Sequence, residues 1–188
     1  MRKFSIRPTL TLTGRTFKGL RGWSGKPFHP PLTDFPIAAY VMAAAFDVIS
    51  RLGHSHRWST DFWHAGTYTF VGGAAVSVFA ALTGFWDRSK SSERGTQARR
   101  TVNTHAAIMV TVTVMALSDI AWRLNCFHTY RNTPMRIMVL SIAVAGLVSL
   151  GATFGGTLVY DYGFNVETAG DSPVWHESED DVLPGHSG

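Results

Sequence analysis

The stretch IMVLSIAVAGLVSLGATFGGTLVY, residues 137–160, runs for 24 residues without one Asp, Glu, Lys, Arg or His. A hydrocarbon core about 30 Å thick is crossed by about 20 residues at a rise of about 1.5 Å each, so a helix over this stretch is long enough to span a membrane. Three further stretches meet the same test: residues 35–52, 66–86 and 106–124, of 18, 21 and 19 residues. Their few ionisable side chains lie near the stretch ends. The alternative, a soluble bundle of four buried helices, would have no need to confine charge so strictly. The Ala, Gly and Thr content also suits close helix packing in lipid. The mean hydropathy of +0.05 is an average over apolar spans and strongly charged ends, and it hides this segregation.

The expected fold is therefore all-α: a polytopic membrane four-helix bundle. Residues 1–33 form a basic head, 34–161 the transmembrane domain and 162–188 an acidic tail. The head carries seven Lys or Arg up to Lys26 and no acid, yet it lacks the apolar core of a signal peptide and is expected to stay on the protein. The head and the loop 88–100 hold twelve basic residues, against five (Arg51, Arg57, Arg123, Arg131 and Arg136) in the other two loops. The positive-inside rule then puts both termini in the cytoplasm of a multi-pass protein of the bacterial plasma membrane. The bilayer is one partner, drawing the head to anionic headgroups at about 1 kcal/mol per basic residue. A protein of a membrane complex, docked on the basic head and acidic tail, is the other expected partner; nucleic acid is not expected. Cys126 is the only cysteine, so one copy can form neither a disulfide nor a cysteine-clamped metal site.

A shift of 72 residues brings Ala44, Asp47, Arg51, Leu52 and His56 onto Ala116, Asp119, Arg123, Leu124 and His128. It also lays Val76, Ser77, Ala80 and Gly84 on Val148, Ser149, Ala152 and Gly156. One offset serving two helices suggests two repeated helical hairpins related by an axis along the membrane normal. Pro30 and Pro31 oppose helix, so Thr33 is the expected cap of the first span, with Asp34 at its positive end. Trp58, Trp63, Trp86 and Trp122 fall near span ends, as an interfacial aromatic belt requires. Gly151, Gly155 and Gly156 offer a small-residue surface for a neighbouring backbone.

Three groups of residues bear on chemistry. Asp47 and Asp119 precede Arg51 and Arg123 by four residues, a spacing that stacks acid and base on one helix face. They read as two local ion pairs, or as two acids that face each other and relay protons or hold a cation. His29 and His105 share the cytoplasmic side and offer axial imidazoles to a b-type haem, although His29 falls outside the expected helix and His105 in the first turn of its own. His54, His56, His64 and His128 share the opposite side, where a divalent metal could gather; polar interfacial histidines are the plainer reading. No phosphate-binding glycine loop, dinucleotide fingerprint or nucleophile elbow occurs, and no enzymatic activity is indicated.

Two runs carry a family resemblance: Gly25-Lys-Pro-Phe-His29-Pro30-Pro-Leu-Thr-Asp34-Phe35-Pro36, and Gly155-Gly156-Thr-Leu-Val-Tyr160-Asp-Tyr162-Gly163-Phe-Asn-Val166. Together with His105-Ala-Ala they resemble the bacterial four-helix membrane proteins catalogued as domain of unknown function 2231, over about residues 22–166. The resemblance implies a predicted membrane protein with no assigned activity. Some members are fused to a Rieske-type iron–sulfur domain, which implies electron-transfer surroundings. His29, Pro30, Asp34, Phe35, Pro36, His105, Gly155, Gly156, Tyr160 and Gly163 match the family pattern. Relatives commonly carry His at the positions of Lys26 and Tyr162, so any ligand site built on those histidines is reduced here. The leading expectation is an accessory or scaffold subunit of a membrane complex, in electron-transfer surroundings. The competing readings are a redox carrier with haem b or a quinone at His29 and His105, and a small metal or proton transporter.

Overall fold

In a computed structural model of the protein, which describes residues 28–54, 56–90 and 94–164, the chain forms four helices. They are α1 (His29–Leu52), α2 (Arg57–Lys90), α3 (Gln97–Cys126) and α4 (Met135–Tyr160). All four are long and apolar enough to cross a membrane. The basic head up to residue 27 and the tail from residue 165, with the docking surfaces expected there, lie outside the described residues.

The helices overrun the apolar stretches because propensity does not end where hydrophobicity does. Residues 57–65 continue α2 outward, and residues 97–105 do the same for α3, capped by Thr96, whose side chain accepts from the Arg99 backbone N–H. The start of α1 corrects the sequence expectation. Pro30 and Pro31 sit in its first turn, where a missing N–H costs nothing because that donor has no helical acceptor anyway. Thr33 is no cap: its hydroxyl donates to the Pro30 carbonyl at 2.7 Å. His29 is thereby the first residue of α1, and His105 lies two turns inside α3 rather than at its start.

The chain runs up, down, up and down. Each helix packs on its two neighbours in the order α1, α2, α3, α4 and back to α1, and the backbones of the two diagonal pairs do not approach. Tyr40, Ala43, Phe70, Ala74, Val112, Ala116, Val144 and Val148, two from each helix, fill the centre. Phe35, Met42, Phe79, Leu82, Val114, Leu117, Val139, Ile142 and Leu150 face outward and exposed. An apolar exterior around an apolar centre is the surface of a bundle whose solvent is lipid. Trp58, Trp86 and Trp122 are exposed near helix ends as a belt requires, but Trp63 is fully buried and donates its indole N–H to the Phe127 carbonyl at 3.1 Å. Its place in the sequence is interfacial; its side chain turns inward because a carbonyl there can accept the N–H.

Close helix approach occurs on α2, where a Cβ on Gly73 would stand 2.5 Å from Ala39 Cβ of α1. The expected small-residue seam on α4 has a different use. A Cβ on Gly151 would meet Met109 Sδ at 2.7 Å, and one on Gly155 would meet His105 Cε1 at 3.4 Å, so this surface receives side chains of α3 and not its backbone.

Candidate functional site

The apolar centre separates two polar regions. The upper one lies where α1 turns into α2 and α3 into α4; the lower one lies where α1 begins and α4 ends.

The upper region is an ionic network closed except at one oxygen, Asp119 Oδ1. Asp47, Asp119 and Arg123 are all fully buried. The Arg123 guanidinium grips Asp47 of α1 with both terminal nitrogens, Nη1 reaching Oδ1 at 3.1 Å and Nη2 bonding Oδ2, while Nε donates to Asp119 Oδ2 at 3.0 Å. The planar fork of arginine matches a carboxylate in this way, and here it reaches across a diagonal that the backbones do not close. Its carbon lies 4.7 Å from the Phe70 ring centre and 5.5 Å from that of Trp63, so aromatic faces replace water around the charge. Thr133 donates to Asp47 Oδ1 at 3.2 Å. Ser50 and Ser59 exchange hydroxyl bonds with each other's carbonyls, and the Thr133 N–H donates to Ser50 Oγ at 3.0 Å.

This geometry corrects the two local ion pairs read from sequence. Asp119 does pair with Arg123 four residues on, but Asp47 turns from Arg51 to Arg123, because only Arg123 faces the centre. The two acids do face a common cation, and that cation is a side chain of the protein itself.

The outer histidines are dispersed. His56 stacks on Trp58 with ring centres 5.7 Å apart, His64 packs on Phe127 at 4.6 Å and His128 meets the same ring edge-on at 5.0 Å. His54 is exposed at the α1–α2 turn with φ 47°. Among the described residues no three His, Cys, Asp or Glu side chains converge as a metal site would require.

The lower region is a cavity of about 480 Å³ whose lining includes His29, Ile37, Tyr40, His105, Met109 and Gly156. That volume falls within the range of small-molecule sites, about 300–1,000 Å³. Asp34, Asp87 and Arg88 are the carboxylates and the guanidinium of its lining, and Arg88 also donates to Asn103 Oδ1 at 2.8 Å. The two imidazoles are set in the same manner. His29 Nδ1 lies 2.9 Å from the Ala80 carbonyl of α2, and His105 Nδ1 lies 2.8 Å from the Gly151 carbonyl of α4. A carbonyl only accepts, so each Nδ1 carries a hydrogen, and in the neutral form of each ring Nε2 is left as an acceptor. Thr83 fits this assignment: its own hydroxyl donates to the Phe79 and Ala80 carbonyls, leaving a lone pair for His29 Nδ1–H at 3.3 Å.

In both cases a glycine stands four residues after the accepting carbonyl. A Cβ on Gly84 would lie 2.7 Å from His29 Cε1, and one on Gly155 3.4 Å from His105 Cε1. Each ring edge thus lies along a helix where a glycine supplies the notch. Sequence reading assigned Gly155 to helix packing and Gly84 to the repeat alone, and so missed this role. The available signal was a carbonyl-plus-four glycine facing a histidine on the next helix. The two histidines are 76 residues apart, one turn off the 72-residue offset, so the repeat did not pair them. Their ring centres stand 6.5 Å apart with planes at 80°.

Of the family motif, His29, Pro30, Asp34, Pro36, Gly155, Gly156 and Tyr160 all line this cavity, and Gly163 follows it at φ 62°, a left-handed position suited to glycine. Tyr162 stands beside α3, its hydroxyl 3.5 Å from that of Thr101. Residues 25–168 match the model of a family described as Predicted membrane protein (DUF2231). Neither the curated proteins nor the solved structures contain a match.

Proposed function

Because the chain belongs to this family of membrane proteins, whose description assigns no activity, we propose its function from its own lower cavity: a small membrane haem protein that holds iron porphyrin between His29 and His105. The observation that carries this reading is the matched pair of imidazoles, each with Nδ1–H tied to a helix carbonyl and Nε2 free to ligate. Such a backbone anchor fixes the tautomer and orientation of a metal-bound histidine.

Four features support porphyrin over other ligands. Two imidazole nitrogens each about 2.0 Å from one shared metal allow ring centres up to roughly 6.3 Å apart, close to the 6.5 Å found. With only two protein ligands a bare divalent ion has an incomplete shell, whereas porphyrin iron brings four nitrogens of its own and needs just the axial pair. A quinone presents carbonyl acceptors, which do not match two Nε2 acceptors. The lining is mostly apolar, as a porphyrin face requires.

In this reading the protein carries single electrons within the membrane, as one subunit of a larger redox assembly whose partner docks on the head and tail. The excess of basic residues on the connections of the lower side orients that side, and with it the haem site, to the cytoplasm of a bacterial plasma membrane.

The test is an absorption spectrum, oxidised and dithionite-reduced, of detergent-purified protein expressed with ample haem supply. The expected result is the reduced α-band of a six-coordinate b-type haem, lost in both His29→Ala and His105→Ala. A flat spectrum, or a band that survives both substitutions, refutes the assignment.

A further inference from the structure

The upper triad holds two carboxylates and one guanidinium, all with no exposed surface. If both acids were ionised, the group would carry one uncompensated negative charge inside the membrane, a condition that proteins escape by neutralising a group. The two acids are not equivalent. Asp47 receives both terminal nitrogens of Arg123 and the Thr133 hydroxyl, so both its oxygens are bonded by donors that require it as an acceptor. Asp119 receives only Arg123 Nε, on Oδ2, and its Oδ1 is buried without a hydrogen-bond partner. An ionised carboxylate oxygen left bare in this way is among the costliest buried groups; protonation removes the charge and leaves a neutral hydroxyl, whose burial costs far less.

We propose that Asp119 is a proton-binding site: Oδ1 holds one proton, which brings Asp47, Arg123 and Asp119 together to zero net charge. The ligand is the proton alone. The charges acting on Asp119 are Arg123 of its own helix and Asp47 of α1. From α2 the buried side chains at this level are Trp63, Thr67 and Phe70, which bear no charge, while His64 packs on Phe127 at 4.6 Å; the buried residues at the start of α4, Ile137 and Ser141, bear none either, and Arg136 there lies over the Trp122 ring at 5.2 Å. The thiol of Cys126 is the other ionisable group buried nearby, and it donates to the Trp122 carbonyl at 3.0 Å. Among the described residues no cation other than Arg123 bonds Asp119, so a proton is the species that fits the space and the count. The site lies 14 residues along α3 from His105, about 21 Å at 1.5 Å per residue, and it is independent of whatever occupies the lower cavity.

The experiment is an infrared spectrum of the full chain in lipid nanodiscs at neutral pH, with and without carboxyl-¹³C aspartate. The expected result is a carbonyl stretch of a protonated carboxylic acid that shifts with the label, disappears in Asp119→Asn and loses label sensitivity in Asp119→Glu. It persists in His105→Ala, so it is read separately from haem binding. Absence of a label-sensitive band in the wild-type protein overturns the proposal, and this reading needs no variant to fold. A label-sensitive band that survives in Asp119→Glu overturns it as well, by placing the proton on another aspartate.

Discussion

The two ends of this bundle spend their polar residues in opposite ways. At the upper end Asp47, Arg123, Thr133, Ser50 and Ser59 meet one another, and among the buried side-chain atoms of the described residues only Asp119 Oδ1 lacks a partner. At the lower end His29 and His105 are each anchored at one nitrogen, and the other nitrogen has no assigned hydrogen bond beside a cavity of about 480 Å³. Both ends are polar regions inside an apolar helix bundle, so hydropathy does not tell them apart. What distinguishes them is completeness: a nearly closed network ties three helices and the α3–α4 connection together, while a half-satisfied one leaves chemistry available to a ligand.

Substitutions that treat the two ends alike should therefore give unlike results. The largest effect is expected for Arg123→Leu, which strands Asp47 and Asp119 without their cation. Breaking a buried ion pair by removing one partner costs about 3–5 kcal/mol, so this variant should unfold at much lower denaturant in a detergent unfolding titration. An unchanged midpoint would mean that the triad does not hold the helices. At the lower end, His105→Ala removes one hydrogen bond to a helix carbonyl, and stability should fall by about 1 kcal/mol while haem binding is abolished. Loss of stability as large as that of Arg123→Leu would make the histidine a structural residue and erase the contrast.

Finer substitutions sharpen the lower site. Gly84→Ala puts a Cβ 2.7 Å from His29 Cε1, and Gly155→Ala puts one at an ordinary 3.4 Å from His105 Cε1. Haem affinity should drop clearly in the first and little in the second, as read by hemin titration. Equal losses would show that the notches are not what seats the rings. The smallest effect belongs to Arg51→Ala. Sequence spacing pairs Arg51 with Asp47, but Asp47 is bound to Arg123, so the change in stability should stay within about 0.5 kcal/mol.

That last residue illustrates where sequence reading stops. Span number, all-helical class and the separation of His29 with His105 from the outer histidines follow from hydropathy and chain direction, which act along one dimension. Which of Arg51 and Arg123 faces the centre depends on helix rotation about its own axis, and the near-symmetric apolar character of each span gives no stripe to fix it. Trp63 fails for the same reason: its position along the membrane normal was legible, and its inward turn toward the Phe127 carbonyl was not. The start of α1 was missed because two prolines forbid a helix interior but suit its first turn, and sequence alone does not say which applies. The glycines were seen as small residues, but only their neighbours reveal that two of them make room for imidazoles.

The most direct test of the contrast between the two ends is a hemin titration of wild-type, His105→Ala and Asp119→Asn proteins, compared in the same detergent. One hemin bound tightly per chain in the wild type and in Asp119→Asn, with none held by His105→Ala, is the result this structure leads us to expect. No saturable binding in the wild type, or binding lost equally in both variants, would contradict it.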